Sequence, residues 1–253
     1  MKYRPNPLRA LWRRGKAAVG PLVTLPSPAI AELFGLAGFD FVFIDCEHGP
    51  MGEETALAMM QAVGGTPAVP LIRVPRGEAW LVKRALDLGA YGVIVPMVQT
   101  AEDARRAVRA AKYPPQGVRG VGAARAQQYL MGLQTYLKWA NREILVIPLI
   151  ESGDGVENIE AIMKVRGVDA VGLGPFDLSG SLGLLGEVGH PKVQAALRRV
   201  LVAGQKLGVP VSTLAVSPEA TAARIREGYR MIVAGADCLM LAEAAKAFVA
   251  AKR

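Results

Sequence analysis

A small set of polar side chains in this sequence has the types and settings needed for chemistry. Asp45-Cys46-Glu47-His48-Gly49 is a charged exit from an apolar run, and Arg73 interrupts Leu71-Ile72-Arg73-Val74-Pro75. Glu151 follows Pro148-Leu149-Ile150, and Asp177 lies in Gly172-Leu173-Gly174-Pro175-Phe176-Asp177-Leu178-Ser179. Glu151 and Asp177 form a carboxylate pair that could work as acid and base or hold a hard cation. No Cys or His cluster accompanies them, so oxygen coordination completed by water and a chelating substrate points to Mg²⁺ or Mn²⁺, with Co²⁺ as a further option, rather than to structural zinc. The simpler alternative is that each carboxylate caps a helix or pairs with an arginine.

His48 has the near-neutral intrinsic pKa of a proton-transfer group, and Asp45 could hold its ring and tautomer. The alternative is a loop histidine with a satisfied hydrogen bond. His190, in Gly189-His190-Pro191, precedes a helical pattern and reads as structural. Cys46 lacks the Cys/His spacing of a thiol nucleophile and reads as a small buried hydrophobe. A guanidinium at Arg73 could clamp a carboxylate, stabilise an enolate oxygen or pair with one of the site acids. The turn at Gly172–Ser179 could turn backbone N–H groups toward an anion, although it is not a dinucleotide-binding fingerprint.

These groups need a scaffold that brings distant segments to one place. Short apolar, β-branched runs at 19–25, 40–45, 69–74, 92–96, 144–150, 169–173, 209–213 and 230–233 read as strands covered on both faces. Helical patterns at 28–37, 53–63, 79–88, 101–112, 155–164, 191–207 and 218–227 lie between them, and Gly89, Gly208 and Gly228 follow three of these. This alternation predicts a single (β/α)₈ barrel spanning 1–253, favoured over an open doubly wound sheet. The charged residues then collect at C-terminal strand ends, where barrel active sites form. The interval 114–142 is too long for a simple connection and reads as an excursion over one barrel end. Leu8, Leu11 and Trp12 predict a short N-terminal helix. A C-terminal helix over 242–252, with Leu239, Leu241 and Phe248 as apolar anchors, would cover the barrel or pack on a neighbouring subunit.

Composition narrows the classes further. The chain has 253 residues, 51% hydrophobic and 21% charged, which excludes a disordered or collagen-like polymer. The longest uncharged stretch, 55–72, is broken by Gly64, Gly65, Pro67 and Pro70, so no membrane span is expected. Of the net charge of +8, Lys2, Arg4, Arg9, Arg13, Arg14 and Lys16 supply six charges before the first acid, Glu32, so no nucleic-acid partner is expected. An Arg-rich start could also be a transit peptide, but the apolar stripe favours an integral helix. Two cysteines supply neither a disulfide framework nor a zinc site, and a reducing cytoplasm is the default. None of the predicted strands contains lysine, which disfavours a Schiff-base aldolase and favours metal-assisted enolate chemistry.

The order and spacing of Asp45-Cys46-Glu47-His48-Gly49, Arg73-Val74-Pro75, Leu86-Asp87-Leu88-Gly89-Ala90, Pro114-Pro115-Gln116-Gly117-Val118-Arg119-Gly120, Glu151 and Gly174-Pro175-Phe176-Asp177-Leu178-Ser179 resemble the HpcH/HpaI-type class II pyruvate aldolases over nearly the whole chain. The resemblance implies reversible cleavage of 4-hydroxy-2-oxo acids to pyruvate and an aldehyde through a metal-bound pyruvate enolate. It implies Glu151 and Asp177 as metal ligands, His48 with Asp45 as the base pair, and Arg73 as the enolate stabiliser. The backbone of Phe176 and Asp177 would receive the pyruvate carboxylate, Asp87 would reach a neighbouring subunit's site, and the assembly would be a homohexamer. Arg119 and Arg125 both offer a cation for an acceptor carboxylate. Many relatives carry Gln where this chain has Leu149, which removes a hydrogen-bonding side chain near the substrate. Competing expectations are an acyl-CoA ester lyase of the same superfamily and a barrel that binds 2-oxo acids without turnover.

Overall fold

The computed structural model of the chain describes residues 3–252, so Lys2 of the basic N-terminal run lies outside the described residues. The predicted apolar runs pair as parallel strands β1 (Ala18–Val23), β2 (Phe41–Asp45), β3 (Val69–Arg73), β4 (Gly92–Val95), β5 (Leu145–Ile150), β6 (Gly172–Leu173), β7 (Ser212–Ala215) and β8 (Met231–Ala236). They form an eight-stranded sheet in the order β6-β5-β4-β3-β2-β1-β8-β7. The sheet closes through a parallel bridge between Val171 and Val211, where the Ser212 N–H donates to Val171 O at 2.7 Å. The result is an α/β barrel. β2, β3, β4 and β5 are buried along their whole length, as strands with helices outside and side chains inside must be.

The helices are α1 (Pro7–Arg13), α2 (Pro28–Leu36), α3 (Glu53–Gly64), α4 (Ala79–Asp87), α5 (Ala101–Ala111), α6 (Leu133–Glu143), α7 (Gly153–Glu157), α8 (Ile159–Met163), α9 (Pro175–Ser181), α10 (Pro191–Leu207), α11 (Pro218–Glu227) and α12 (Asp237–Ala250). Their starts follow local chemistry. Ser27, Thr100, Ser152 and Ser217 accept main-chain hydrogen bonds as N-caps, and Thr100 with Asp103 closes a capping box. Gly208 and Gly228 leave α10 and α11 in the left-handed conformation.

Several boundaries differ from the sequence reading. The helix expected over 155–164 breaks at Asn158, whose Nδ2 donates to Gln99 O at 3.0 Å. The C-terminal helix begins five residues before 242, because buried Asp237 accepts hydrogen bonds from Thr24 N, Thr24 Oγ1 and Leu25 N and ties the helix start to the end of β1. Beyond that anchor, Leu241, Phe248 and Val249 are exposed. The helix therefore does not cover its own barrel.

The excursion over 114–142 packs at the N-terminal end of the barrel, opposite the charged strand ends. Lys112 Nζ reaches Ile144 O at 2.7 Å, and Arg125 Nη1 reaches Leu88 O at 2.8 Å. The N-terminal helix is integral to the same end. Asn6 is fully buried; its Nδ2 donates to Tyr91 O and Glu143 O, and its Oδ1 caps α1 at Leu8 N. Among the described residues, no helix is long and apolar enough to cross a membrane.

Asn6→Ala removes these hydrogen bonds from a site that water cannot re-enter. It should lower stability by about 3 kcal/mol in urea melts while leaving turnover of the folded fraction unchanged, because the charged strand ends lie at the other end of the barrel.

Candidate active site

Adjacent strand ends bring Asp45 and Arg73 into register as the last paired residues of β2 and β3. Arg73 Nε donates to Asp45 Oδ1 at 2.8 Å and Nη2 to Oδ2 at 2.6 Å, with Asp45 fully buried and Arg73 nearly so. This bidentate pair occupies two of the three guanidinium nitrogens. Arg73 lines a cavity of about 310 Å³ at the mouth of the barrel.

The expected contact between Asp45 and the His48 ring is not present. Asp45 Oδ1 instead accepts from the main-chain N–H groups of Glu47 and His48, at 3.1 and 3.4 Å, so the carboxylate shapes the turn that carries His48. With both oxygens already engaged by Arg73 and the turn, it does not hold the ring. The imidazole is well exposed at the cavity, and its Nε2 lies 3.8 Å from Glu47 Oε2.

Glu47 joins these residues at the site, although its sequence setting assigns it no role. Its Oε2 is buried and accepts no hydrogen bond, although Arg73 Nε lies 3.1 Å away, because that N–H is directed at Asp45. Burial raises the Glu47 carboxyl above the usual range, against the lowering effect of Arg73. The available signal was its position, two residues past a buried strand-end acid.

Glu151 directly follows β5, with Oε2 receiving the Met97 N–H at 2.9 Å. Burial, with Glu47 and Asp177 adding like charge, pushes its carboxyl up to about 7 despite the Met97 N–H and Arg73. Asp177 sits in the first turn of α9, beside exposed Phe176, and both line the cavity with His48, Arg73 and Glu151. Below them the cavity is largely hydrocarbon, including Phe43, Ile94, Leu149 and Leu214, with Ser212 as a further polar side chain in the lining. Leu149 therefore presents no polar group at the floor.

The structure thus brings Asp45, His48, Arg73, Glu151, Phe176 and Asp177 together at one barrel end. It does not bring Asp87, Arg119 or Arg125 there within one chain. Asp87 ends α4 at the opposite end, where Arg119 Nη2 donates to its Oδ1 at 2.7 Å. Arg119 is buried over Tyr113 and Tyr136, 4.7 and 5.5 Å from the ring centroids. Arg125 donates to Leu88 O and Met60 O and lines a separate groove with Asp87, Trp80 and Tyr129.

Among the described residues, no three His, Cys, Asp or Glu side chains form a metal cage by themselves. Glu151 and Asp177, with Glu47 behind them, could hold an oxygen-preferring cation whose remaining positions are filled by water and substrate. The Glu47 oxygen without a hydrogen-bond donor and the raised Glu151 pKa both mark a place where several carboxylates share the single cation of Arg73.

Residues 21–244 match the family model for HpcH/HpaI aldolase/citrate lyase. The chain belongs to the HpcH/HpaI aldolase/citrate lyase family. A curated relative in this family, 5-keto-4-deoxy-D-glucarate aldolase of Klebsiella pneumoniae, is 38% identical over 234 residues, covering 92% of this chain and 91% of that protein. A crystal structure of an HpcH/HpaI aldolase/citrate lyase family protein from Burkholderia cenocepacia J2315 is 37% identical, with a TM-score of 0.93 over 98% of this chain and 99% of that one. That of an HpcH/HpaI aldolase from Desulfitobacterium hafniense DCB-2 is 31% identical, with a TM-score of 0.87 over 97% and 96%. This HpcH/HpaI family member is accordingly an enzyme of the aldolase type, a carbon–carbon lyase.

The Glu151 pKa has a consequence for stability. The unfolded chain releases this proton near 4.5, whereas the folded protein keeps it to about 7. The native state binds the extra proton, so the Glu151 contribution favours folding least once pH has risen through that window. Glu151→Gln cannot titrate. In EDTA, the difference in stability between Glu151→Gln and wild type should grow by about 3 kcal/mol from pH 4 to pH 8. A difference independent of pH in urea melts would show that Glu151 has an ordinary pKa.

Proposed function

We propose that this family member reversibly cleaves 4-hydroxy-2-oxo acids to pyruvate and an aldehyde, using a divalent cation held by Glu151 and Asp177. The observation that carries the reading is the arrangement at one cavity: an under-compensated carboxylate cluster, a buried cation aimed at the same space and an exposed imidazole at its mouth. A family relative is named for 5-keto-4-deoxy-D-glucarate. Numbered from its other carboxyl, that compound is itself a 4-hydroxy-2-oxo acid, and it is the first substrate to test.

A bound Mg²⁺, Mn²⁺ or Co²⁺ ion supplies Lewis-acid polarisation of the oxo-acid oxygens. The main-chain N–H groups of Phe176 and Asp177 receive the donor carboxylate. His48 takes the proton from the 4-hydroxyl; the C3–C4 bond then breaks, the aldehyde departs, and its electron pair moves toward the C2 oxygen. Arg73 stabilises that oxygen through its third guanidinium nitrogen, Nη1, which the pair with Asp45 leaves over. Asp45 acts by fixing Arg73 and the His48 turn, and Glu47 stands where it can orient the imidazolium. A proton returned to C3 completes pyruvate.

Asp87 and Arg125 serve a neighbouring subunit in this reading. Their groove opens to the surface, Arg119 pairs with Asp87, and the burial of Arg119 supports assigning the acceptor carboxylate to Arg125, which would leave its contacts with Leu88 O and Met60 O to reach it. The exposed apolar side of α12 fits the homohexamer that the family resemblance implies.

His48→Ala should slow exchange of the pyruvate methyl protons with deuterated solvent by about 100-fold or more, read by NMR without any aldehyde. Arg73→Ala should both slow that exchange and weaken pyruvate binding. Wild-type exchange that survives exhaustive chelation refutes the metal-dependent reading. Turnover of a CoA ester in place of oxo-acid cleavage would favour the acyl-CoA lyase.

Asp87→Ala should lose aldol cleavage while keeping methyl-proton exchange. Mixing it with His48→Ala should restore cleavage in hybrid assemblies, provided subunits exchange. Failure to complement under demonstrated exchange refutes the shared site.

A further inference from the structure

Two features of the main chain converge on the Glu151 carboxylate from opposite sides. Met97, just past β4, has φ +56°, a conformation that L-residues with side chains rarely adopt. Its side chain is 68% exposed, while its N–H reaches Glu151 Oε2 at 2.9 Å. The next residue secures the same loop, since Val98 N donates to Leu149 O at 3.2 Å. The unusual conformation therefore serves the direction of an N–H, not the packing of a thioether. On the other side, Gly174 comes so near that a Cβ placed there would lie 2.7 Å from both Cγ and Oε1 of Glu151. One carboxylate oxygen is thus held by a hydrogen bond, and the other lies against a bare α-carbon.

We propose that the Met97 main chain and Gly174 form a positioning clamp that sets the Glu151 carboxylate in the orientation from which it shares a divalent cation with Asp177. The proposal rests on the reading that these two residues bind a cation, and it assigns the orientation of one ligand to two residues that touch no cation themselves. Its signature is a dependence on backbone preference at position 97. Glycine adopts a left-handed φ freely and asparagine more readily than most residues, whereas a β-branched residue resists it strongly. Valine would swing the N–H away from Oε2. Glycine and asparagine would keep it in place although both discard the methionine side chain.

The test is calorimetric titration of the purified, full-length protein with Mn²⁺, alongside circular dichroism and thermal melts. Met97→Gly and Met97→Asn should bind within about twofold of wild type. Met97→Val and Gly174→Ala should each bind tenfold or more weakly while keeping the wild-type far-UV spectrum, a loss of the size that removal of an outer-shell partner produces. Gly174→Ala tests the second side of the clamp whether or not Met97→Val folds. Unchanged affinity in folded Gly174→Ala overturns the clamp, as does a Met97→Gly variant as weak as Met97→Val, which would assign the effect to the side chain. A wild-type protein that binds no Mn²⁺ refutes the metal reading itself and the clamp with it, an outcome distinct from normal wild-type binding with unaffected variants.

Discussion

Asp45 and Arg73 join the ends of two neighbouring strands through a pair of charge-assisted hydrogen bonds in a site almost closed to water. A buried ion pair adds little net stability, because desolvation consumes most of the Coulombic gain, but losing one partner leaves an uncompensated charge. Its value here is geometric. Bidentate contact fixes the plane of the guanidinium and therefore the direction of the nitrogen left over. The same carboxylate accepts the Glu47 and His48 N–H groups, so one interaction sets both the cation and the turn that carries the imidazole.

The next layer follows from how that pair is used. Arg73 lies beside Glu47 but directs its Nε–H elsewhere, which leaves a buried carboxylate oxygen without a donor. Glu151 has one donor, the Met97 N–H, and like-charged neighbours in Glu47 and Asp177. A single guanidinium already committed to Asp45 does not balance these groups. Perturbed carboxylates at the mouth of a cavity are a functional signature because an ordinary structural acid would have been paired.

How much of this was legible in the sequence depends on the range of the interaction. Strand burial is written in composition, so runs such as Phe41–Asp45 and Leu145–Ile150 stand where the apolar pattern puts them, and Asp45, Arg73 and Glu151 are conspicuous because they end such runs. That Arg73 could pair with a site acid was legible; that the acid is Asp45 was not. His48 is three residues away and Arg73 is twenty-eight, yet strand register brings the distant residue closer. The left-handed Met97 carries no compositional signal, since neither glycine nor asparagine marks it. The barrel end to which 114–142 belongs follows from chain direction: a segment leading from α5 into β5 must return to the strand starts. That direction separates Arg119 and Arg125 from the charged strand ends within one subunit.

The misfit at the strand ends is carried by a closely packed barrel wall. β2 to β5 are buried hydrocarbon apart from Asp45 and Arg73 at the ends of β2 and β3, and hydrogen bonds around Asn6, Glu143 and Lys112 close the N-terminal end. Local rules fail together at Glu47, Met97 and Glu151, and again at the opposite barrel end, where Gln128, Tyr129 and Leu130 have positive φ and the buried Nε of Arg119 finds no acceptor; the packed barrel wall between them supports both. In the proposed reaction, one ligand class relieves the misfit. A divalent cation held there would supply the missing positive charge and draw the proton off Glu151, so part of its binding energy would go into ordering these carboxylates. The strain and the affinity are then two descriptions of the same electrostatic deficit, placed by Arg73's commitment to Asp45.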